Sequence, residues 1–259
     1  MIKLNAHLGY QFTELPFLDR FAAAAAAGFA AVEFPAPYDH APELISEQLA
    51  LHNLALIQIA APMGIPGEKG FAACPGRTME FRASIQRAID YALALDCASI
   101  HLMSGARPEG QPSFCQWRSY VDNVHWAACA LADHAITPLV EVISKTTVAG
   151  YFMSSYELFD ALLETAPNAG IKLLFDTYHA HLIDGNVIDS FSQAFANIGH
   201  IQIADAPGRH EPGTGNLDFP AFFALLQQLG YSGWVGCEYL PEHTTQAGLQ
   251  YLSSYLPPA

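Results

Sequence analysis

The sequence predicts a single (β/α)8 barrel of the TIM type, on three observations. The chain has 259 residues, close to the roughly 250 typical of such a barrel. Eight short, mainly apolar runs recur along it, about 33 residues apart on average, and they lack the strict polar alternation of half-exposed strands, as strands covered on both faces do. Helical patterns separate them, which is the alternation of a parallel α/β fold. No linker, low-complexity tract or repeat divides residues 1–259, so they read as one domain.

The first run, Lys3–His7, leads to a helical segment Pro16–Ala27 that stops at Gly28, a helix-ending glycine. The second run is Ala30–Phe34; Pro42 then opens the helix Glu43–Asn53, because proline suits a first turn. The third run, Ala55–Ala60, enters a loop from Gly64 to Gly70 that carries Glu68 and Lys69, either a surface loop or a lid. Arg77, after Pro75-Gly76, suits a cap or loop anchor. The helix Met79–Leu95 sets Phe81, Ile85, Ile89 and Leu93 four apart as an apolar stripe. The fourth run is Ser99–Met103. Trp117, Tyr120 and Trp126 follow at helical spacing and read as packing residues. The fifth run is Pro138–Ile143, followed by the helix Tyr156–Leu163 with Ser154-Ser155 to cap it. The sixth and seventh are Lys172–Asp176 and His200–Ala204. Asp218 caps the helix Phe219–Leu229, which ends at Gly230, and Trp234–Tyr239 is the eighth run. An open doubly wound sheet would want a glycine-rich phosphate turn after the first strand, and His7-Leu8-Gly9-Tyr10 is not one.

Composition narrows the function. Half the residues are hydrophobic (51%), which rules out disorder. Eleven Lys and Arg against 25 Asp and Glu leave a net charge of −14, so nucleic acid and anionic membrane are poor partners. The longest apolar stretch, Phe21 to Val32, is shorter than the about 20 residues a bilayer needs. Glu14 and Asp19 precede it, so it also lacks the basic start of a signal peptide. Five cysteines with no CxxC pair suit a reduced, cytoplasmic protein.

Catalytic groups of a TIM barrel gather at the C-terminal ends of its strands. Four polar residues interrupt or end the last four apolar runs: Glu141, Asp176, Gln202 and Glu238. A strand-end carboxylate can be balanced by Lys or Arg, but this chain has few of either. Burying three carboxylates together otherwise calls for a cation. Oxygen-only donors suit one divalent ion, Mg²⁺ or Mn²⁺, better than zinc.

The same segments carry a resemblance. Val140-Glu141, Phe175-Asp176-Thr177-Tyr178-His179, His200-Ile201-Gln202-Ile203-Ala204-Asp205, Glu211-Pro212-Gly213-Thr214-Gly215 and Gly233 through Tyr239 resemble the hydroxypyruvate isomerase family, including the 2-oxo-tetronate isomerases, within the xylose isomerase-like TIM-barrel superfamily. The likeness runs the whole length and includes Phe17–Phe34 and Pro75-Gly76-Arg77. It implies a metal held by Glu141, Asp176, Gln202 and Glu238, with Glu141 and Glu238 also the acid/base pair. It implies that His179 and Arg209 bind the substrate, a small hydroxy-oxo acid. Two positions depart from the pattern: His7 stands where relatives often have Asn, and Leu240 where many have Lys.

The implied reaction is an aldose–ketose isomerisation, foremost of hydroxypyruvate to tartronate semialdehyde through an enediolate. A base must take the C3 proton and an acid must return one to C2. A 2-oxo-tetronate isomerase or a related sugar isomerase or epimerase is the alternative, although epimerases of this superfamily normally place His where Gln202 stands. An endonuclease would need histidine-rich zinc ligands and a cationic groove. A non-catalytic sugar-acid binding protein is the reading from another class, since fold alone does not dictate function. Other polar residues have both structural and functional readings. Glu33 suits either a buried pair or a site contact, His101 more a hydrogen-bonded core residue than a ligand, and the Asp205–Gly215 loop a cover over the substrate.

Overall fold

In the computed structural model, which describes residues 2–106, 113–253 and 255, nine strand segments form one wholly parallel curled sheet ringed by helices. They are β1 (Lys3–His7), β2 (Ala31–Glu33), β3 (Ala55–Leu56), β4 (Ile59–Ala60), β5 (Ser99–His101), β6 (Thr137–Glu141), β7 (Lys172–Asp176), β8 (Ile198–Gln202) and β9 (Trp234–Cys237). Their order is β3-β2-β1-β9-β8-β7-β6-β5-β4. The expected third run therefore divides in two. β3 pairs with β2 and β4 pairs with β5, and only Ile57 and Gln58 separate them. The two ends of the ladder are thus consecutive pieces of chain.

The main helices are α1 (Arg20–Ala26), α2 (Pro42–Leu51), α3 (Thr78–Ala94), α4 (Ser113–Ala132), α5 (Tyr156–Thr165), α6 (Thr177–Asp184), α7 (Val187–Ala194), α8 (Phe219–Gln228) and the short α9 (Thr245–Gly248). Several expected caps are present. Pro42 occupies the first turn of α2. Ser155 Oγ accepts from Leu158 N, and Asp218 accepts from Ala221 N at 3.0 Å. Gly28 follows α1 with φ of 91°, a left-handed conformation that costs a side-chain-bearing residue.

The apolar stripe of α3 needs correction. Phe81, Ile85 and Ile89 are buried, but Leu93 is 52% exposed and Ala92 takes its place. Strict fourfold spacing gains about 40° per step on a 3.6-residue helix, so three steps rotate Leu93 off the buried face. Elsewhere the helices cover the sheet's outer face with aromatics: Phe175 of β7 meets Phe191 of α7 at 5.2 Å and Phe222 of α8 at 6.4 Å between ring centroids. Tyr120 of α4 is fully buried, with Trp117 and Trp126 packed against the core. No helix among the described residues is long and apolar enough to cross a membrane.

What positions the site is the way these strands end. His7, Glu33, His101, Glu141, Asp176 and Gln202 are each the last residue of a strand, and Glu238 follows β9 by one. Parallel register places His7 beside Glu33 and Asp176 beside Gln202. Six polar side chains and a seventh therefore share one rim, and all but Glu238 are at most 5% exposed.

Candidate active site

Glu141, His179, Gln202, Arg209 and Glu238 line one cavity of about 110 Å³, together with His7, Tyr10, Lys69 and His101. Asp176 lies against them. A larger groove of about 580 Å³ beside α4 has Lys145 as its sole charged described lining residue, so the converging polar groups belong to the smaller space.

Local structure fixes each group. Asp176 ends β7 and caps α6, its Oδ1 accepting from Tyr178 N at 2.8 Å. That turn brings His179 round onto the same rim, where atoms of Glu141, Asp176 and His179 lie within 4.8 Å of one another, a group that could hold a metal ion. His179 Nε2 is 3.7 Å from both Glu141 Oε1 and Asp176 Oδ2. Its Nδ1 accepts from the backbone N–H of Ser144 at 3.4 Å, so in the neutral ring Nε2 carries the hydrogen and donates. Burial holds this imidazole neutral, with its pKa lowered to about 4 despite the nearby Asp176. His7 is built alike: Nδ1 accepts from Gly9 N at 3.2 Å and Nε2 faces Glu238 Oε1 at 3.5 Å.

Arg209 bridges two of the carboxylates, donating through Nη2 to Asp176 Oδ2 at 3.2 Å and to Glu238 Oε2 at 2.8 Å. Its guanidinium lies 5.1 Å from the Tyr10 ring and 5.3 Å from the Tyr178 ring. The loop that carries it is pinned rather than free. Asp205 accepts four backbone N–H groups, from Ala206, Gly213, Gly215 and Leu217, at 2.8 to 3.0 Å. Leu240 leaves its side chain 48% exposed and contributes its backbone N–H to Arg209 O at 2.8 Å. The Gly64–Gly70 loop is also anchored. Arg77 donates to both Glu68 oxygens at 2.7 and 3.1 Å and also pairs with Glu80 at the start of α3.

Glu141 has no such partner. Its Oε1 is buried without a hydrogen bond, and burial, then Glu238 and Asp176, raise its pKa. Burial likewise raises that of Glu238, against the pull of Arg209. Both carboxylates are thus poised to hold a proton or to accept a cation. An orphaned buried carboxylate oxygen, with a second carboxylate within reach, fits a cation-binding site.

Glu33 fills both readings the sequence allows it, a buried pair and a contact to a candidate site residue. It is fully buried, with Oε1 accepting from Gln202 Nε2 at 2.8 Å and Oε2 meeting His200 Nε2 at 2.5 Å. His200 went unremarked, although it lies two residues before Gln202 and so faces the same side of β8. His101 is in the core as expected, yet its Nε2 comes within 3.6 Å of Glu141 Oε2.

Comparison with known proteins agrees with this architecture. A family profile described as a xylose isomerase-like TIM barrel matches residues 21–255. A 2-oxo-tetronate isomerase of Cupriavidus necator is 41% identical over 259 residues, covering 99% of both chains. The hydroxypyruvate isomerase of Escherichia coli is 37% identical, covering 98% of this chain and all of its own. A solved Brucella melitensis structure, described as an AP endonuclease of family 2, superposes with a TM-score of 0.96 at 39% identity, covering 99% of this chain and 100% of the other. The chain belongs to the xylose isomerase-like TIM-barrel family and, within it, to the isomerases represented by these 2-oxo-tetronate and hydroxypyruvate enzymes.

Proposed function

We propose that the protein interconverts an aldehyde and a ketone form of a small hydroxy-oxo acid, hydroxypyruvate or a 2-oxo-tetronate, with Glu141 and Glu238 as the proton-transfer pair. The observation that carries this reading is geometric: two buried carboxylates line one small cavity, and Glu141 Oε1 has no hydrogen-bond partner there. A carboxylate so placed, with an oxygen free, is positioned to take a proton from carbon and return it.

In hydroxypyruvate, one glutamate takes a proton from C3 and the bond's electron pair moves toward C2, giving an enediolate. The other delivers a proton to C2, and the O3 hydroxyl proton passes to O2. No net oxidation occurs. His179 Nε2–H is the donor aimed at the developing oxyanion. The proposed metal ligands are Glu141, Asp176, Gln202 and Glu238; a divalent ion there, Mg²⁺ or Mn²⁺ by the oxygen donors, supplies Lewis-acid stabilisation of negative charge on the substrate oxygens. His179 is read as a substrate contact beside the ion, although with Glu141 and Asp176 it also forms a group that could hold one. Arg209, with its charge between Asp176 and Glu238, meets the substrate from the same side.

The net charge of −14, and the single lysine and single arginine lining the cavity among the described residues, support a small substrate over DNA. The same reading takes β3 and β4 as halves of one barrel strand, which makes eight strands and one domain over residues 1–259. The five free thiols suit the cytoplasm.

The test is proton NMR in D₂O of the protein with hydroxypyruvate, 2-oxo-tetronates and neutral ketoses, before and after chelation. Deuterium entering beside the carbonyl, with product formed and activity restored by Mg²⁺ or Mn²⁺, is expected. Ligand-induced stabilisation without exchange or product would identify a binding protein instead.

A further inference from the structure

We infer that Glu33 is a positioning residue that fixes which end of the Gln202 amide faces the cavity. A glutamine can present either its oxygen or its NH₂ group, and only the oxygen serves a cation. Glu33, as a carboxylate, only accepts hydrogen bonds. It takes Gln202 Nε2–H at 2.8 Å and His200 Nε2–H at its other oxygen, which leaves Oε1 as the uncommitted end of the Gln202 amide, in a residue that lines the cavity with Glu141 and Glu238. The fold makes room for this arrangement at one place. A Cβ on residue 236 would lie 2.3 Å from Glu33 Oε1, and residue 236 is glycine. The same geometry accounts for an amide at position 202: a carboxylate there would face Glu33 with no proton between them.

This inference rests on the metal site proposed above, and it makes a charge-swap prediction. In Glu33→Gln/Gln202→Glu, Gln at 33 can accept from His200 as before and donate to Glu at 202, so both hydrogen bonds survive and only the one between positions 33 and 202 reverses. Mn²⁺ binding is measured by electron paramagnetic resonance and titration calorimetry, with circular dichroism and thermal melting to report folding. Glu33→Gln alone leaves the Gln202 amide free to turn, and its Mn²⁺ affinity should fall by the roughly 10–100-fold typical of lost ligand-orienting partners. Gln202→Glu alone should bind more weakly, or melt lower, than the double variant, which should recover at least tenfold over Glu33→Gln. Glu33→Gln folded and binding Mn²⁺ within twofold of wild type would overturn the inference alone. A double variant that is folded but no better than Glu33→Gln would do the same; where Glu33→Gln does not fold, a folded double variant that binds Mn²⁺ more than about tenfold more weakly than wild type overturns it instead. A wild-type protein that binds no Mn²⁺ would overturn the metal site and the inference together.

Discussion

Replacing Arg209 with methionine isolates one electrostatic debt in the site. Methionine keeps an unbranched stem between Tyr10 and Tyr178 but removes the guanidinium that lies 3.2 Å from Asp176 and 2.8 Å from Glu238. The Asp176 side chain is fully buried, whereas Arg209 and Glu238 are each 14% exposed. Removing one partner of a buried pair costs roughly 3–5 kcal/mol because the other charge stays unpaired. The partial exposure here selects the lower end, about 3 kcal/mol. At about 2–4 °C per kcal/mol for a chain of this size, the chelated variant should melt about 6–12 °C below chelated wild type. Saturating Mn²⁺ should then narrow the gap, because a cation on the same carboxylates replaces the missing charge. Thermal melts by circular dichroism, with EDTA and with Mn²⁺, measure both quantities. A chelated variant within 2 °C of wild type would refute the first step of this reasoning, and a gap untouched by Mn²⁺ would refute the second.

Three further outcomes follow from the same geometry. Glu141→Gln and Glu238→Gln should each lower turnover by about 10²–10⁴-fold, and the variant that loses only the acid should still exchange substrate hydrogen with D₂O. Lys69, beside Arg209 the other cation lining the cavity among the described residues, should meet the substrate carboxylate. Lys69→Met should therefore raise KM for hydroxypyruvate by about tenfold, or ~1.4 kcal/mol, with kcat little changed and neutral ketoses unaffected. Burial works against ionised Glu33, but His200 and Gln202 win and hold its pKa near about 2. Its stabilisation is therefore complete above the ordinary carboxylate value of 4.5 and is lost as pH falls toward 2. Denaturant titrations of chelated protein should show a shallower acid limb in Glu33→Gln than in wild type.

The alternation of apolar runs with capped helices was legible in the sequence because burial on both faces of a parallel strand demands unbroken apolar residues, and a polar residue at the end of such a run stands out. Glu141, Asp176, Gln202 and Glu238 were found that way, as was the helix stop at Gly28. His7, Glu33 and His101 share the same rim, yet the sequence marked His7 only as a departure from a pattern, left Glu33 open between a pair and a site contact, and read His101 as core, since a strand end alone does not say which residues sit opposite it. Only the tertiary structure decided the pairings. Glu33 and His200 lie 167 positions apart, and Arg209 is 33 from Asp176 and 29 from Glu238. The break between β3 and β4, and the anchoring of the two loops by Asp205 and by Glu68 with Arg77, are likewise invisible to periodicity. Local pattern reports which face of an element is buried; the partners of a buried polar group are set by the order and curl of the sheet, which bring distant strand ends to a few ångströms.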